Sequence, residues 1–223
     1  MKQAPANTRF AAIAIDVPVF GLIDGELQVL VANVDRPPHY KNIDGFVGGL
    51  VEAHETAGQA VVRHLKEKAG LSGIYTEQLY TFSDVNRDKR NRVIAIAYLG
   101  LVRPDVVSTY QHPEAHFVPV SEITALAYDH NEMLIAAKKR LASKLEYTNI
   151  AQYVLPRHFT LTQLQSVYET LHKRDFDKRN FRKKILALDI VSETGQMEEG
   201  VKHRPAALYK FTSQTLQQIP LII

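Results

Sequence analysis

The stretch Gly48-Gly49-Leu50-Val51-Glu52-Ala53-His54-Glu55-Thr56-Ala57-Gly58-Gln59-Ala60-Val61-Val62-Arg63-His64-Leu65-Lys66-Glu67-Lys68-Ala69-Gly70-Leu71 sets the frame for the rest of the chain. A diglycine opens it. From about Glu55 to Ala69 the apolar residues Ala57, Ala60, Val61 and Leu65 recur at helical spacing, and Gly70 stops the run. On the predicted helix, positions 64, 67 and 68 stand i, i+3 and i+4 apart and share one face. That face carries an imidazole (His64), one carboxylate (Glu67) and an ammonium (Lys68).

The flanks read as a mixture of strands and helices. Residues 10–20 and 27–34 are apolar and rich in Val, Ile and Ala, with the hairpin signal Asp24-Gly25 between them. Residues 35–43 contain Arg36-Pro37-Pro38 and read as a loop, because proline is excluded from helix interiors. Residues 44–51 read as loop followed by a short strand. Beyond the helix, residues 74–83 and 92–102 are strand-like and are joined by the polar stretch Asp84 to Asn91. Phe117 to Val120 reads as a short strand. Asp129 to about Glu146 reads as a helix with Met133, Ala137 and Leu141 on one side, and His130 as a helix-start residue. The combination predicts an α/β (α+β) domain over residues 1–150.

The quoted stretch resembles the Nudix box. That pattern runs Gly, five residues, Glu, seven residues, then Arg-Glu-U-x-Glu-Glu-x-Gly-U, with U apolar. Gly49, Glu55, Arg63, Leu65, Glu67, Gly70 and Leu71 fall in register, whereas His64 and Lys68 stand where the pattern has glutamates. The resemblance implies a carboxylate-rich face that binds Mg²⁺ beside a diphosphate. Mg²⁺ requires oxygen ligands, and it polarises phosphoryl groups and activates water. With His64 and Lys68 present, no metal site, no catalytic residue and no hydrolase activity are expected. Binding can outlast catalysis. Arg36, Gly48, Gly49, Arg87, Arg90 and Arg92 are the candidate ligand-binding residues, since arginine forks match phosphate oxygens; Lys89 lies in the same basic loop.

Composition limits the alternatives. The chain has 223 residues, 45% hydrophobic and 23% charged, enough apolar surface for a real core. Cysteine is absent, which removes disulfides, thiolate metal sites and a cysteine nucleophile. The longest apolar run, Val93 to Val102, is half the length of a spanning helix. No signal peptide is evident, and a cytoplasmic protein with no membrane partner is expected.

Charge is uneven. Residues 151–223 carry a net +4 and residues 1–150 a net −1. Near Tyr147 to Arg157 the pattern also changes. Thr160-Leu161-Thr162-Gln163 offers helix caps with a box-like glutamine, and Leu161, Leu164, Val167, Tyr168 and Leu171 form one apolar face. A turn at Lys173 to Phe176 follows, and Asp177 can cap a second helix with Phe181, Ile185 and Leu188 inward. Ile190-Val191 and Leu208 to Phe211 read as two short strands around a long loop. This is the order of a C-terminal winged helix-turn-helix domain over residues 151–223. From Lys173 to Lys184 seven bases oppose two acids, and Arg179, Arg182 and Lys183 share an outward face that fits a DNA major groove. The candidate DNA-binding residues are Thr160, Thr162, Lys178, Arg179, Asn180, Arg182, Lys183, Lys202 and Arg204.

Together the halves resemble the Nudix-related transcriptional regulators, the NrtR family. The matching segments include Glu77-Gln78-Leu79-Tyr80-Thr81-Phe82, Phe159-Thr160-Leu161-Thr162, Asp177-Lys178-Arg179-Asn180-Phe181-Arg182 and Arg204-Pro205-Ala206. The resemblance implies a homodimeric repressor of NAD-metabolism genes that binds palindromic double-stranded operator DNA. ADP-ribose or a related nucleotide would be its effector, and no cofactor is expected. Two other readings compete: a hydrolase of nucleoside diphosphate derivatives with a basic accessory domain, and a DNA-binding protein whose first domain is only a dimerisation scaffold.

Overall fold

The computed structural model describes residues 10–200 and 204–221. Strands β1 (Ala12–Val17), β2 (Val19–Ile23), β3 (Glu26–Arg36), β4 (Tyr40–Gly45) and β5 (Val47–Leu50) precede helix α1 (Ala57–Ala69). Strands β6 (Tyr75–Phe82) and β7 (Val93–Leu101), helix α2 (Pro104–Thr109), strand β8 (Ala115–Pro119) and helix α3 (His130–Tyr147) complete the first part. The strands form one mixed sheet in the order β4-β3-β2-β7-β1-β5, with β6 also on β7 and β8 also on β3. β1 and β2 both run parallel to β7 and follow one another along it, β1 on Val93 to Ala97 and β2 on Gly100 and Leu101.

The long apolar strands explain the two-sided burial. α1 packs Ala60, Val61, Leu65 and Ala69 against Ile15, Val17 and Val47 on one side. α3 packs Met133, Ala137, Leu141 and Leu145 with Val29, Val31, Ala97 and Leu99 on the other. At 18 residues, α3 is about 27 Å long. It runs from the first part to the second. There α4 (Leu161–His172) and α5 (Lys178–Ala187) precede a two-stranded wing of β9 (Val191–Met197) and β10 (Ala207–Phe211).

The second part is not hung on a free linker. Its buried Leu161, Leu164, Tyr168, Phe181 and Ile185 belong to the same apolar cluster as α3. The Tyr168 hydroxyl donates to Leu145 O at 2.9 Å, and the Thr170 hydroxyl donates to Gly25 O at 2.7 Å, at the tip of the β2–β3 hairpin. The C-terminal segment folds back across the junction. Ile219 N donates to Tyr147 O, Gln217 N to Asn149 Oδ1, and Asn149 Nδ2 to Thr215 O.

Three expectations need correction. Residues 35–43 are mostly strand: Arg36 pairs with Tyr40 across β3 and β4, and only Pro37 to His39 make the turn, with a cis bond between Pro37 and Pro38. β9 extends to Met197, because its outer half finds a partner at Ala207, and the wing loop is correspondingly shorter. α2 was not anticipated; it is six residues long, begins at Pro104 and has no side-chain cap. No helix among the described residues is long and apolar enough to cross a membrane.

Candidate functional site

The diglycine strand creates a cleft by letting backbone pass close to backbone. Gly48 pairs with Asp16 across β1 and β5, and a Cβ on Gly48 would sit 2.1 Å from Ile15 O. α1 is set beside it by its caps. Thr56 and Gln59 form a capping box, and Gly70 takes the left-handed conformation (φ 60°) that ends the helix. Three α1 side chains then reach carbonyl oxygens of β5. Arg63 Nη2 donates to Leu50 O at 3.1 Å, His64 Nε2 lies 3.0 Å from the same oxygen, and Lys68 Nζ donates to Gly48 O at 2.6 Å.

This arrangement decides the chemistry of the box. Because His64 Nε2 faces a carbonyl, it must carry the proton, and the buried Nδ1 has no partner. Burial pushes the His64 pKa down, so the ring is neutral near pH 7. Glu55 is held by Arg63, with Nε donating to Oε2 at 2.9 Å; this bond lowers its pKa to about 2. Glu67 also turns toward Arg63, at 3.5 Å, and not toward the diglycine. No group of three His, Cys, Asp or Glu residues that could hold a metal occurs among the described residues.

Arg36, Gly48, Gly49, Arg87, Arg90 and Arg92 do come together, around a cleft of about 630 Å³. They differ in availability. Arg87 is buried, its guanidinium 2.7 Å from Asp129 Oδ1 and 3.2 Å from Asp16 Oδ2. Its Nε and Nη2 are engaged by these carboxylates, and it lies in the wall of the cleft. Arg90 pairs with Asp88 at 2.8 Å and lies over the Tyr128 ring. Arg92 donates to the Ser83 and Asp84 carbonyls, and Arg36 to Asp35 O. Lys89 lines a neighbouring hollow instead.

Among the wall residues that were not anticipated are Asp16, Tyr128, Lys68 and His130. His130 is indeed the first residue of α3, but it is also buried on the floor. Its Nδ1 accepts from Phe46 N at 2.9 Å, and its Nε2 lies 3.5 Å from Asp16 Oδ1. An acid interrupting the apolar run of β1 was the one signal for Asp16.

The second site lies on the winged helix. Asp177 caps α5 by accepting from Asn180 N at 2.9 Å. Phe181 and Ile185 are buried, whereas Arg179, Asn180 and Lys183 are exposed and Arg182 is half-buried. Thr160, Thr162, Lys178, Arg182 and Arg204 line one hollow between α4, α5 and the wing. Thr160 is itself buried, and its oxygen caps α4 by accepting from Gln163 N. Thr162 is exposed and lies 3.4 Å from Arg182 Nη2. Lys202 lies outside the described residues.

Comparison with known proteins now bears on both sites. Residues 13–137 match the NUDIX domain, and residues 151–211 match the NrtR DNA-binding winged helix domain. Over 211 residues the chain is 30% identical to the ADPR responsive transcriptional repressor NtrR of Acinetobacter baylyi, covering 91% of this chain and 82% of that one. The chain belongs to the NrtR family. Its fold follows that of Shewanella oneidensis NrtR crystallised with a 27mer DNA, with TM-score 0.78 and 27% identity over 89% of this chain and 93% of that one. A further relative is an ADP-ribose pyrophosphatase of Methanocaldococcus jannaschii, 31% identical over 124 residues, which cover 55% of this chain and 70% of that protein. The NrtR architecture thus joins a domain shared with hydrolases to a domain shared with DNA-binding regulators.

Proposed function

We propose that this NrtR-family protein is an ADP-ribose-responsive transcriptional repressor. Its Nudix domain binds the nucleotide without hydrolysing it, and its winged helix docks on operator DNA as part of a homodimer. The relatives supply the effector and the DNA, and the family resemblance points to genes of NAD metabolism. One observation carries the non-catalytic part: α1 turns the Lys68 ammonium onto Gly48 O where the Nudix pattern has a metal-binding carboxylate. The residues present do not fit Mg²⁺. His64 is committed to Leu50 O, Glu55 and Glu67 face Arg63, and a fixed positive charge repels a divalent cation.

The hydrolase reading draws on the Methanocaldococcus jannaschii relative, and one assay separates the two. Incubation of the full chain with ADP-ribose and Mg²⁺ or Mn²⁺, followed by chromatography, is expected to give no product above background. Turnover that disappears in Glu67→Gln would overturn the non-catalytic reading.

A further inference from the structure

The cations of the cleft fall into two groups. Arg87 is neutralised by Asp16 and Asp129, and Arg90 by Asp88. Arg36, Arg92 and Lys68 make no ion pair among the described residues and rest only on carbonyl oxygens. A carbonyl satisfies a donor but supplies only partial charge, so these three keep a positive charge facing the cleft.

Lys68 is placed differently from the two arginines. It sits in the last turn of α1, and its Nζ reaches over the diglycine strand. A Cβ on Gly49 would lie 3.0 Å from that nitrogen, so the missing side chain leaves room for the ammonium. The residue as a whole is exposed, yet its charged end is turned inward. Partial burial there, reinforced by the Arg36 charge, lowers its pKa. The negative charge of an anion in the cleft would offset both effects and favour the charged ammonium. One of the three ammonium donors is used on Gly48 O, which leaves two for an incoming oxygen ligand.

We propose that the Lys68 ammonium is a tethered replacement for the divalent cation of Nudix enzymes, a metal-independent counter-charge for the diphosphate of the bound nucleotide, with Arg36 as its partner. The inference rests on the reading that this cleft binds ADP-ribose. It explains how a ligand recognised elsewhere through a metal is held after the carboxylate shell is gone. An ammonium neutralises phosphate but does not lower the pKa of water as a bound metal does. The same substitution therefore keeps recognition and removes hydrolysis.

The test is calorimetric titration of the full chain with ADP-ribose, in EDTA and in millimolar Mg²⁺, for wild type, Lys68→Met and Lys68→Gln. Ligand-free melting and effector-free DNA binding serve as controls for folding. Wild type is expected to bind equally in both buffers. Both variants should melt and bind DNA as wild type does, and should lose roughly ten- to a hundredfold in affinity for ADP-ribose, the range of a lost charge-assisted hydrogen bond. Wild-type binding that requires Mg²⁺, or variants within about threefold of wild type, would overturn the role of Lys68 while leaving effector binding intact. No wild-type binding in either buffer would instead overturn the ADP-ribose reading, and this inference with it.

Discussion

Replacing Arg179, Arg182 and Lys183 together by alanine is expected to lower operator affinity roughly a hundredfold or more, since a base-edge contact is worth ~1–3 kcal/mol. The fold should survive. Arg179 and Lys183 are exposed, and among the described residues the only side-chain bond of Arg182 is the long 3.4 Å contact with Thr162. The inward residues Phe181 and Ile185, which hold α5 against α4, are untouched. Mobility shifts across a salt series would also sort the contacts. A residue on phosphate flattens the salt slope by about one, whereas a residue on a base edge relaxes preference at one position. A folded triple variant that binds operator like wild type would remove α5 as the reading helix.

Gly48→Ala is expected to destabilise the chain by about 3 kcal/mol, at or beyond the upper end of ordinary overpacking. The new Cβ would lie 2.1 Å from Ile15 O, 2.6 Å from Asp16 Oδ1 and 2.9 Å from Asp16 Cα. Two of these three atoms are backbone of the strand that pairs with β5, so they cannot turn aside as a side chain would. Gly58→Ala on α1 is the control. Nothing lies within 4 Å of its Cβ position, and exchanging a helical glycine for alanine should stabilise by about 0.5 kcal/mol. Urea unfolding of both variants measures the contrast. Equal midpoints for Gly48→Ala and wild type would contradict the close passage of β5 over β1.

What could be read from the sequence was mostly local. The period of Ala57, Ala60, Val61 and Leu65 and the Gly70 stop marked α1, and Asp177 marked the start of α5. The length of β3 could not be read this way, because Arg36 is strand only by virtue of Tyr40 across the turn, and the diproline hides that pairing. The cleft floor was hidden for the same reason. Arg87 reaches Asp16 and Asp129 across separations of 71 and 42 residues, and nothing near any of them in sequence announces the others. Basic residues on the Asp84 to Asn91 segment therefore looked alike, although folding spends Arg87 and Arg90 on carboxylates and leaves Arg92 on carbonyls. The packing of the winged helix onto α3 and onto the Gly25 turn was equally invisible in the sequence. From that turn β3 runs to Arg36 at the cleft.

Coupling between nucleotide occupancy of a metal-free cleft and DNA binding in one chain would show in a mobility shift of the full chain on the DNA upstream of its own gene, with and without ADP-ribose, in EDTA. The expected result is a specific complex whose affinity changes with ADP-ribose at concentrations that saturate the cleft. A complex indifferent to saturating ADP-ribose, or no specific complex at all, would contradict it.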